Sequence, residues 1–449
     1  MSDERLSIPA RGRSHEEVLA DLDGAATGDV DWHGGRAFSL VYHASDEHSA
    51  LLKQAYTRFF SENALNPLAF ESLRRFEAEV VTMTASMLHG GPHAAGTMTS
   101  GGSESIMMAV KTYRDRGRAE HGIDRPRLVL PASAHPAFFK ACHYLMVEPV
   151  VVPLDDDFRV DVGAMAEAVT DDTVAVVGSA PCYPYGVIDP IGEIGALASE
   201  AGVGCHVDAC LGGFLLPWVE RLGHPVSPWD FRVDGVTSIS ADVHKYGFAA
   251  KGASTITYRD PDLRRHQFYV ATDWVGGIYI SPTAAGTRPG GAIAAAWAAM
   301  QAMGADGYLA LAERIVDLGS RMIEGIEAID GLRVLGEPAM RSVFAFASDD
   351  EDVNVFAVGD VLRRHGWHPD KQIRPDALHM MLTTPHVDVV EAFLADLAEA
   401  VETVRGDPEL ATRGEAAMYG MLSQMPAEQQ GEADGFVLDV LDGLYRPEG

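Results

Sequence analysis

The segment SISADVHKYGFAAKG, residues 238–252, contains two lysines six residues apart in a strongly acidic chain. Lys245 follows small and β-branched residues that are typical of a buried strand, and Lys251 lies just beyond it. A lysine shielded at the end of a strand is expected to have a lowered pKa and to serve as a nucleophilic amine. A single lysine at the end of a strand more commonly just extends its ammonium group into solvent. Other residues are therefore needed to decide whether Lys245 has a chemical role.

A second motif, TSGGSES, places Gly101 and Gly102 before Ser103 at a predicted helix N-terminus. Free backbone N–H groups and the positive end of the helix dipole make such a turn an anion site, and glycine lets a phosphate approach the backbone. An ordinary Gly-Ser helix cap is a common alternative. The motif is not a P-loop, because no G-K-[ST] follows it.

Two further polar residues follow predicted strands. Asp208, in HVDACLGG, ends an apolar strand, where a carboxylate without a partner would be costly. Ligands bind at the carboxyl ends of strands in open α/β sheets, although a cap of the next helix explains this aspartate equally well. His135, in SAHP, follows another strand, and its imidazole is suited to stack on a flat ligand.

Together these groups form the set that pyridoxal phosphate needs. The anion site is followed about a hundred residues later by the strand-end aspartate and about forty residues after that by the lysine. The lysine would bond to the cofactor aldehyde, and the aspartate would keep the pyridinium nitrogen protonated. The helix N-terminus would hold the phosphate, and His135 would stack on the ring.

Composition excludes several classes of function. The chain has 449 residues with 35 Lys and Arg against 65 Asp and Glu, a formal charge of −30, which argues against nucleic acid and against anionic membrane surfaces. The four cysteines, Cys142, Cys182, Cys205 and Cys210, form no C-x-x-C pair, so no metal site is predicted. No signal peptide and no apolar run of about 20 residues is present, so we expect a cytoplasmic protein without an integral membrane segment.

The order of elements predicts an α/β fold. Strand-like runs begin near residues 127, 148, 173, 204, 235 and 254, and helix-like segments lie between the earlier ones, which indicates a mainly parallel central sheet. After about residue 308, a long helix and a mixture of short strands and helices suggest a smaller α+β domain. The predicted division is an N-terminal arm (1–55), a cofactor-binding catalytic domain (56–312) and a C-terminal small domain (313–449).

Five segments resemble the sphingosine-1-phosphate lyase family, in the group II decarboxylase branch of the fold-type-I pyridoxal-phosphate enzymes. They are TSGGSESIMMAVKTYRD, SAHPAFFKACHY, VDACLGGFL, VTSISADVHKYGFAAKG and TDWVGGIYISPTAAGTRPGGAIAAAW. The resemblance extends from GRAFSLVYH to YGMLSQMP and so covers almost the whole chain. It implies the transferase-like fold of type-I enzymes.

The resemblance also implies roles for particular residues. Lys245 would form the Schiff base, and the other cofactor contacts would be His244, Gly102, Ser103, His135 and Asp208. Thr287 stands where the family usually has serine, and there it reaches the cofactor phosphate of the partner subunit. A homodimer with shared active sites is therefore implied.

The substrate side of the resemblance is less uniform. Tyr42 and Lys251 would bind substrate, and the proton transfers would fall to Lys251, Tyr42 or Lys245. Asn66, in NALNP, replaces a family histidine that helps to bind the substrate phosphate, and a neutral amide makes a weaker contact.

The implied reaction is retro-aldol cleavage of a phosphorylated sphingoid base into a long-chain aldehyde and phosphoethanolamine. The alternatives are an amino-acid decarboxylase, an aldolase for an unphosphorylated β-hydroxy amine, and a cofactor-binding protein without turnover.

Overall fold

The structure, a computed structural model, describes residues 7–426 and 430–445. The N-terminal segment contains the helices α1 (His15–Ala25), α2 (Asp46–Arg58) and α3 (Glu71–Met87). A capping box begins α1, because the Ser14 side chain accepts the N–H of Glu17 and the Glu17 carboxylate accepts the N–H of Ser14. Every residue of α1 is exposed in the single chain.

A seven-stranded sheet forms the centre of the molecule. Its strands are β1 (Ala95–Thr99), β2 (Arg127–Pro131), β3 (Glu148–Val152), β4 (Thr173–Ser179), β5 (Gly204–Asp208), β6 (Ser238–Ala241) and β7 (Ser254–Tyr258), in the spatial order β1-β7-β6-β5-β4-β2-β3. Strands β2 to β6 are parallel to one another, and β7 is antiparallel to both of its neighbours. The prediction of a mainly parallel sheet is confirmed.

Helices connect these strands, as βαβ units require. They are α4 (Gly102–His121), α5 (Ala137–Leu145), α6 (Val162–Ala168), α7 (Ile191–Ala201) and α8 (Leu216–Arg221). The sheet is buried on both faces along its central strands, since every residue of β4, β5 and β6 is buried. Polar groups at the strand ends therefore face either another polar group or a cavity.

The chain then forms a hairpin, a long helix and a second sheet. After α9 (Pro261–Arg264) come β8 (Tyr269–Ala271) and β9 (Tyr279–Ser281), and α10 (Gly290–Glu327) follows with a kink at Gly304. The antiparallel sheet β10-β11-β13-β12 consists of β10 (Leu332–Val334), β11 (Val343–Ser348), β12 (Asp370–Gln372) and β13 (Ala377–Met381). The remaining helices are α11 (Val355–Arg364), α12 (Val390–Gly406), α13 (Gly414–Gln424) and α14 (Gln430–Leu444).

The two sheets have separate apolar cores, one around β4 to β6 and one between β11, β13, α11 and α12. The predicted boundary at residues 312 and 313 falls inside α10, and the domain bounds stay predictions. Within the described residues, every helix is too short or too polar to cross a membrane.

Candidate active site

A cavity of about 510 Å³ lies where β5 and β6 end and α4 begins. Seven of the ten predicted site residues line it: Gly102, Ser103, His135, Asp208, His244, Lys245 and Lys251. The carboxyl ends of parallel strands meet at one edge of a sheet, which is why residues far apart in the chain come together here.

The anion site predicted from Gly101, Gly102 and Ser103 is the N-terminus of α4, which we call the phosphate seat. A Cβ atom on Gly102 would lie 2.8 Å from Oδ2 of Asp242 and 2.8 Å from Sγ of Cys210, so only glycine fits this wall. Glu104, buried in the first turn, accepts the N–H of Ser100 (2.7 Å) and of Ala285 (3.1 Å) and so holds the neighbouring segments in place.

Gly102→Ala tests whether this wall holds the cofactor. The new methyl group must displace Asp242 or Cys210, and overpacking of about 1–3 kcal/mol corresponds to roughly 5- to 150-fold weaker cofactor binding. Titration of the apo-protein with pyridoxal phosphate measures the dissociation constant. Gly101→Ala is the matched control, because its Cβ would make an ordinary 3.5 Å contact with Cε1 of His244. Equal affinity of the two variants would contradict the placement of the seat.

Lys245 forms an ion pair that the sequence analysis missed. Its Nζ lies 3.0 Å from Oδ2 of Asp242, whose side chain is buried. Burial lowers the pKa of Lys245, but the charge and hydrogen bond of Asp242, together with smaller contributions from Cys210 and Asp208, outweigh it, so that pKa stands above its ordinary value. The prediction of a lowered pKa for Lys245 is therefore wrong. The position of Asp242, three residues before Lys245 at a strand end, was the available signal.

Asp208 ends β5 and is held by two donors. Its Oδ1 accepts the N–H of Cys210 (3.0 Å) and the hydroxyl of Ser240 (3.2 Å), and the residue is buried at the cavity wall. This carboxylate is therefore both desolvated and fixed in direction. Such a group is suited to pair with a protonated ring nitrogen.

His135 and His244 line the cavity as neutral rings. Nδ1 of His135 accepts the N–H of Ala137 (3.1 Å), and Nδ1 of His244 accepts the N–H of Ala253 (3.3 Å). Burial is the main cause that lowers the pKa of both imidazoles. A neutral imidazole is suited to pack against an aromatic ligand or to donate one hydrogen bond.

Tyr183 is a further lining residue that the sequence analysis did not select. Its ring stacks on His379 with centroids 4.1 Å apart, and its hydroxyl donates to Asp370 (3.2 Å). The rings of His135 and Tyr183 lie edge to face, with their centroids 6.4 Å apart. The small sheet therefore contributes to one side of the cavity through Tyr183, a link that only the packed structure reveals.

Lys251 lies at the mouth of the cavity. Its Nζ donates to the carbonyl of Leu40 (2.6 Å) and lies 5.0 Å from the ring centroid of Tyr42. Desolvation of the ammonium, followed by the charge of Lys245, lowers the pKa of Lys251 to about 8. The lysine of this site that has a lowered pKa is thus Lys251 and not Lys245.

Three predicted residues do not line the cavity of this chain. Tyr42 lies behind Lys251, and its hydroxyl donates to Sδ of Met381 (3.0 Å). Thr287 and Asn66 are exposed, and Oδ1 of Asn66 accepts the N–H of Leu68 (2.9 Å) in a local turn. The structure of a single chain does not test the contacts predicted for Thr287 and Asn66, and they stay predictions.

The cavity fits pyridoxal phosphate by the chemistry of its walls. It combines an amine for the aldehyde, a fixed carboxylate for the ring nitrogen and a helix N-terminus for the phosphate. Gly102 has no Cβ, which lets the side chains of Asp242 and Cys210 pack directly against the first residue of α4.

Comparison with known proteins agrees with this chemistry. Residues 4–346 match the pyridoxal-dependent decarboxylase conserved domain. A glutamate decarboxylase of Lactobacillus brevis shares the fold at 20% identity, with a TM-score of 0.78 over 90% of this chain and 96% of that one. Fold and site together define a pyridoxal-phosphate-dependent enzyme of this decarboxylase class.

Two nearer relatives narrow the assignment. A sphingosine-1-phosphate lyase of Arabidopsis thaliana is 43% identical over 98% of this chain and 81% of the plant protein. The solved sphingosine-1-phosphate lyase of Burkholderia pseudomallei K96243 is 42% identical, with a TM-score of 0.90 over 99% of this chain and 98% of that one. The chain belongs to the sphingosine-1-phosphate lyase family and is a pyridoxal-phosphate-dependent lyase.

Proposed function

We propose that this enzyme cleaves a phosphorylated sphingoid base by a retro-aldol reaction, yielding a long-chain aldehyde and phosphoethanolamine. The observation that carries the proposal is the second lysine, Lys251, at the mouth of the cofactor cavity with a pKa of about 8. Retro-aldol cleavage needs a base at the substrate's β-hydroxyl, whereas decarboxylation needs none. A base is most effective when its pKa lies near the working pH.

The residues of the site divide the work. Bound pyridoxal phosphate supplies an electron sink for negative charge at the substrate Cα. Asp208 holds the proton on the ring nitrogen, and Lys245 supplies the amine that attaches the cofactor. Lys251 takes the proton from the β-hydroxyl. Tyr42 is unsuited to that step, because burial raises the pKa of its phenol and its hydroxyl already contacts Met381.

The products test the proposal. Purified, cofactor-loaded enzyme is mixed with a phosphorylated sphingoid base, and long-chain aldehyde and phosphoethanolamine are quantified. We expect equal amounts of both and no carbon dioxide from aromatic or acidic amino acids. The unphosphorylated base, run in parallel, tests the substitution at Asn66. Carbon dioxide release without aldehyde would establish the decarboxylase alternative instead.

We also propose a homodimer with shared active sites. The β8–β9 hairpin exposes Trp274 (57%), Val275 (101%) and Ile278 (71%) in the single chain, and contiguous exposed apolar surface of this kind marks an interface. The hairpin leads directly into the segment that carries Thr287, and Glu104 in the cavity wall binds that segment at Ala285. The cytoplasmic location stays a prediction.

Val275→Lys tests the dimer. A charge placed on this apolar surface is expected to shift the protein from dimer to monomer and to lower turnover together. Light scattering after size exclusion measures the mass. Val151→Lys, on the exposed edge strand β3, is the control and should leave the mass unchanged. A fully dimeric Val275→Lys protein would contradict the proposed interface.

A further inference from the structure

Asp242 is a buried carboxylate for which the proposed reaction has no use. Its side chain is 1% exposed, and one oxygen, Oδ2, lies 3.0 Å from Nζ of Lys245. The other oxygen, Oδ1, has no hydrogen-bond partner of ordinary geometry among the described residues, and the nearby hydroxyl of Ser254 bonds instead to Ser105 and to the carbonyl of Ala241. Buried polar atoms are nearly always paired, so an unpaired carboxylate oxygen facing a ligand cavity calls for an explanation.

The same carboxylate forms one wall of the phosphate seat. A Cβ built on Gly102 would lie 2.8 Å from Oδ2 and 3.0 Å from Oδ1, and Gly102 is the first residue of α4. An anion that binds the free N–H groups of α4 must therefore come close to Asp242. Two negative charges that lie close together and away from water repel each other strongly, and one of them then takes up a proton.

The proton for this change is already present on Lys245. Asp242 favours the ammonium form of Lys245 in the cofactor-free protein, and an ammonium cannot attack an aldehyde. Two neighbouring groups are poor proton donors: His244, 3.9 Å from Oδ2 of Asp242, is a neutral imidazole, and burial raises the pKa of the Cys210 thiol. Glu104, Asp208 and Lys251 complete the charged lining.

We propose that Asp242 is a positioning residue for cofactor loading: an anion arriving at the N-terminus of α4 drives the Lys245 proton onto Asp242 and so frees the Lys245 amine for the cofactor aldehyde. One N–H bond of Lys245 breaks and one O–H bond forms on Oδ2 of Asp242. The ion pair becomes a neutral amine and a neutral acid, and no other bond changes. The neutral acid then donates a hydrogen bond to the anion. The inference rests on pyridoxal phosphate as the cofactor. Binding of the cofactor's phosphate group at α4 then promotes the attachment of its aldehyde to Lys245.

Separating the aldehyde from the phosphate tests the proposal. Apo-protein is mixed with pyridoxal, which lacks the phosphate, and growth of the visible absorption band is followed with and without inorganic phosphate. For the wild type we expect phosphate to accelerate attachment by about tenfold or more, the effect of one pKa unit on the fraction of free amine. Asp242→Asn should react rapidly with pyridoxal alone and show no acceleration by phosphate.

Asp208→Asn is the matched control, since it removes a second carboxylate of the cavity that raises the pKa of Lys245 less than Asp242 does. It should load more weakly but keep the acceleration by phosphate. An unaccelerated or slowed wild type, or an Asp242→Asn protein slower than wild type with pyridoxal alone, would show that Asp242 only orients Lys245.

The comparison within wild type decides the question even if Asp242→Asn does not fold. Wild type that fails to load pyridoxal phosphate itself would instead overturn the cofactor assignment, and loading is measured without any lyase substrate. The two failures are therefore distinguishable.

Discussion

Lys245→Ala is expected to abolish both turnover and the visible absorption band of the attached cofactor. The variant lacks the amine that pairs with Asp242 in the wall of the cavity. Turnover should fall by about 10⁴-fold or more, the upper end of the range for a positioned proton-transfer group. Absorption spectroscopy and the aldehyde assay measure the two losses separately.

Lys53→Ala, which changes an exposed lysine of α2, is the control and should retain both properties. Borohydride reduction of the wild type, followed by peptide mass spectrometry, should locate the cofactor on the peptide that contains Lys245. A Lys245→Ala protein that kept colour and turnover, or a label on Lys251, would refute the assignment of the attached lysine.

Lys251→Met is expected to lower kcat/KM by about 10²–10⁴-fold while leaving the cofactor attached. In the wild type, the free amine of Lys251 increases as the pH rises through about 8, the pKa lowered by desolvation. A base acts in its neutral form, so kcat/KM should rise with pH up to about 8 and then level off. The variant should lose this rise.

Lys251→Arg separates the two roles that a lysine here can have. Arginine stays protonated, so it cannot act as a base, although it binds phosphate well. If Lys251 is the base, Arg behaves like Met. If Lys251 instead binds the substrate phosphate as a cation, the Arg variant keeps its activity and wild-type kcat/KM falls as the pH rises through about 8.

The acidic surface gives these two lysines a special importance. With a formal charge of −30, the chain repels anionic ligands at long range, and screening limits that repulsion to about a Debye length. Among the described residues that line the cavity, the cations are Lys245 and Lys251. Binding of a phosphorylated ligand therefore depends on local contacts with Lys245, Lys251 and the N-terminus of α4. Of these, the N-terminus of α4 carries no formal charge.

Much of the fold was predictable because it depends on local patterns. Apolar runs alternating with helical periodicity predicted the parallel strands β2 to β6, and burial of those strands on both faces explains why the pattern was clear. Strand β1 was missed, and β7 was predicted without its direction. An antiparallel edge depends on which strands pair, and hydrogen bonding to β6 and β1 decides that only in the folded sheet.

The sequence by itself determined the chemical inventory of the site: the glycines before α4, the strand-end groups Asp208 and Lys245, and the family to which they belong. These residues are recognisable because polar groups and glycines are costly where they stand unless a ligand uses them. Only the tertiary structure decided how the groups act on one another. Asp242 raises the proton affinity of Lys245, while desolvation lowers that of Lys251, because charge interactions depend on distance and burial rather than on spacing along the chain.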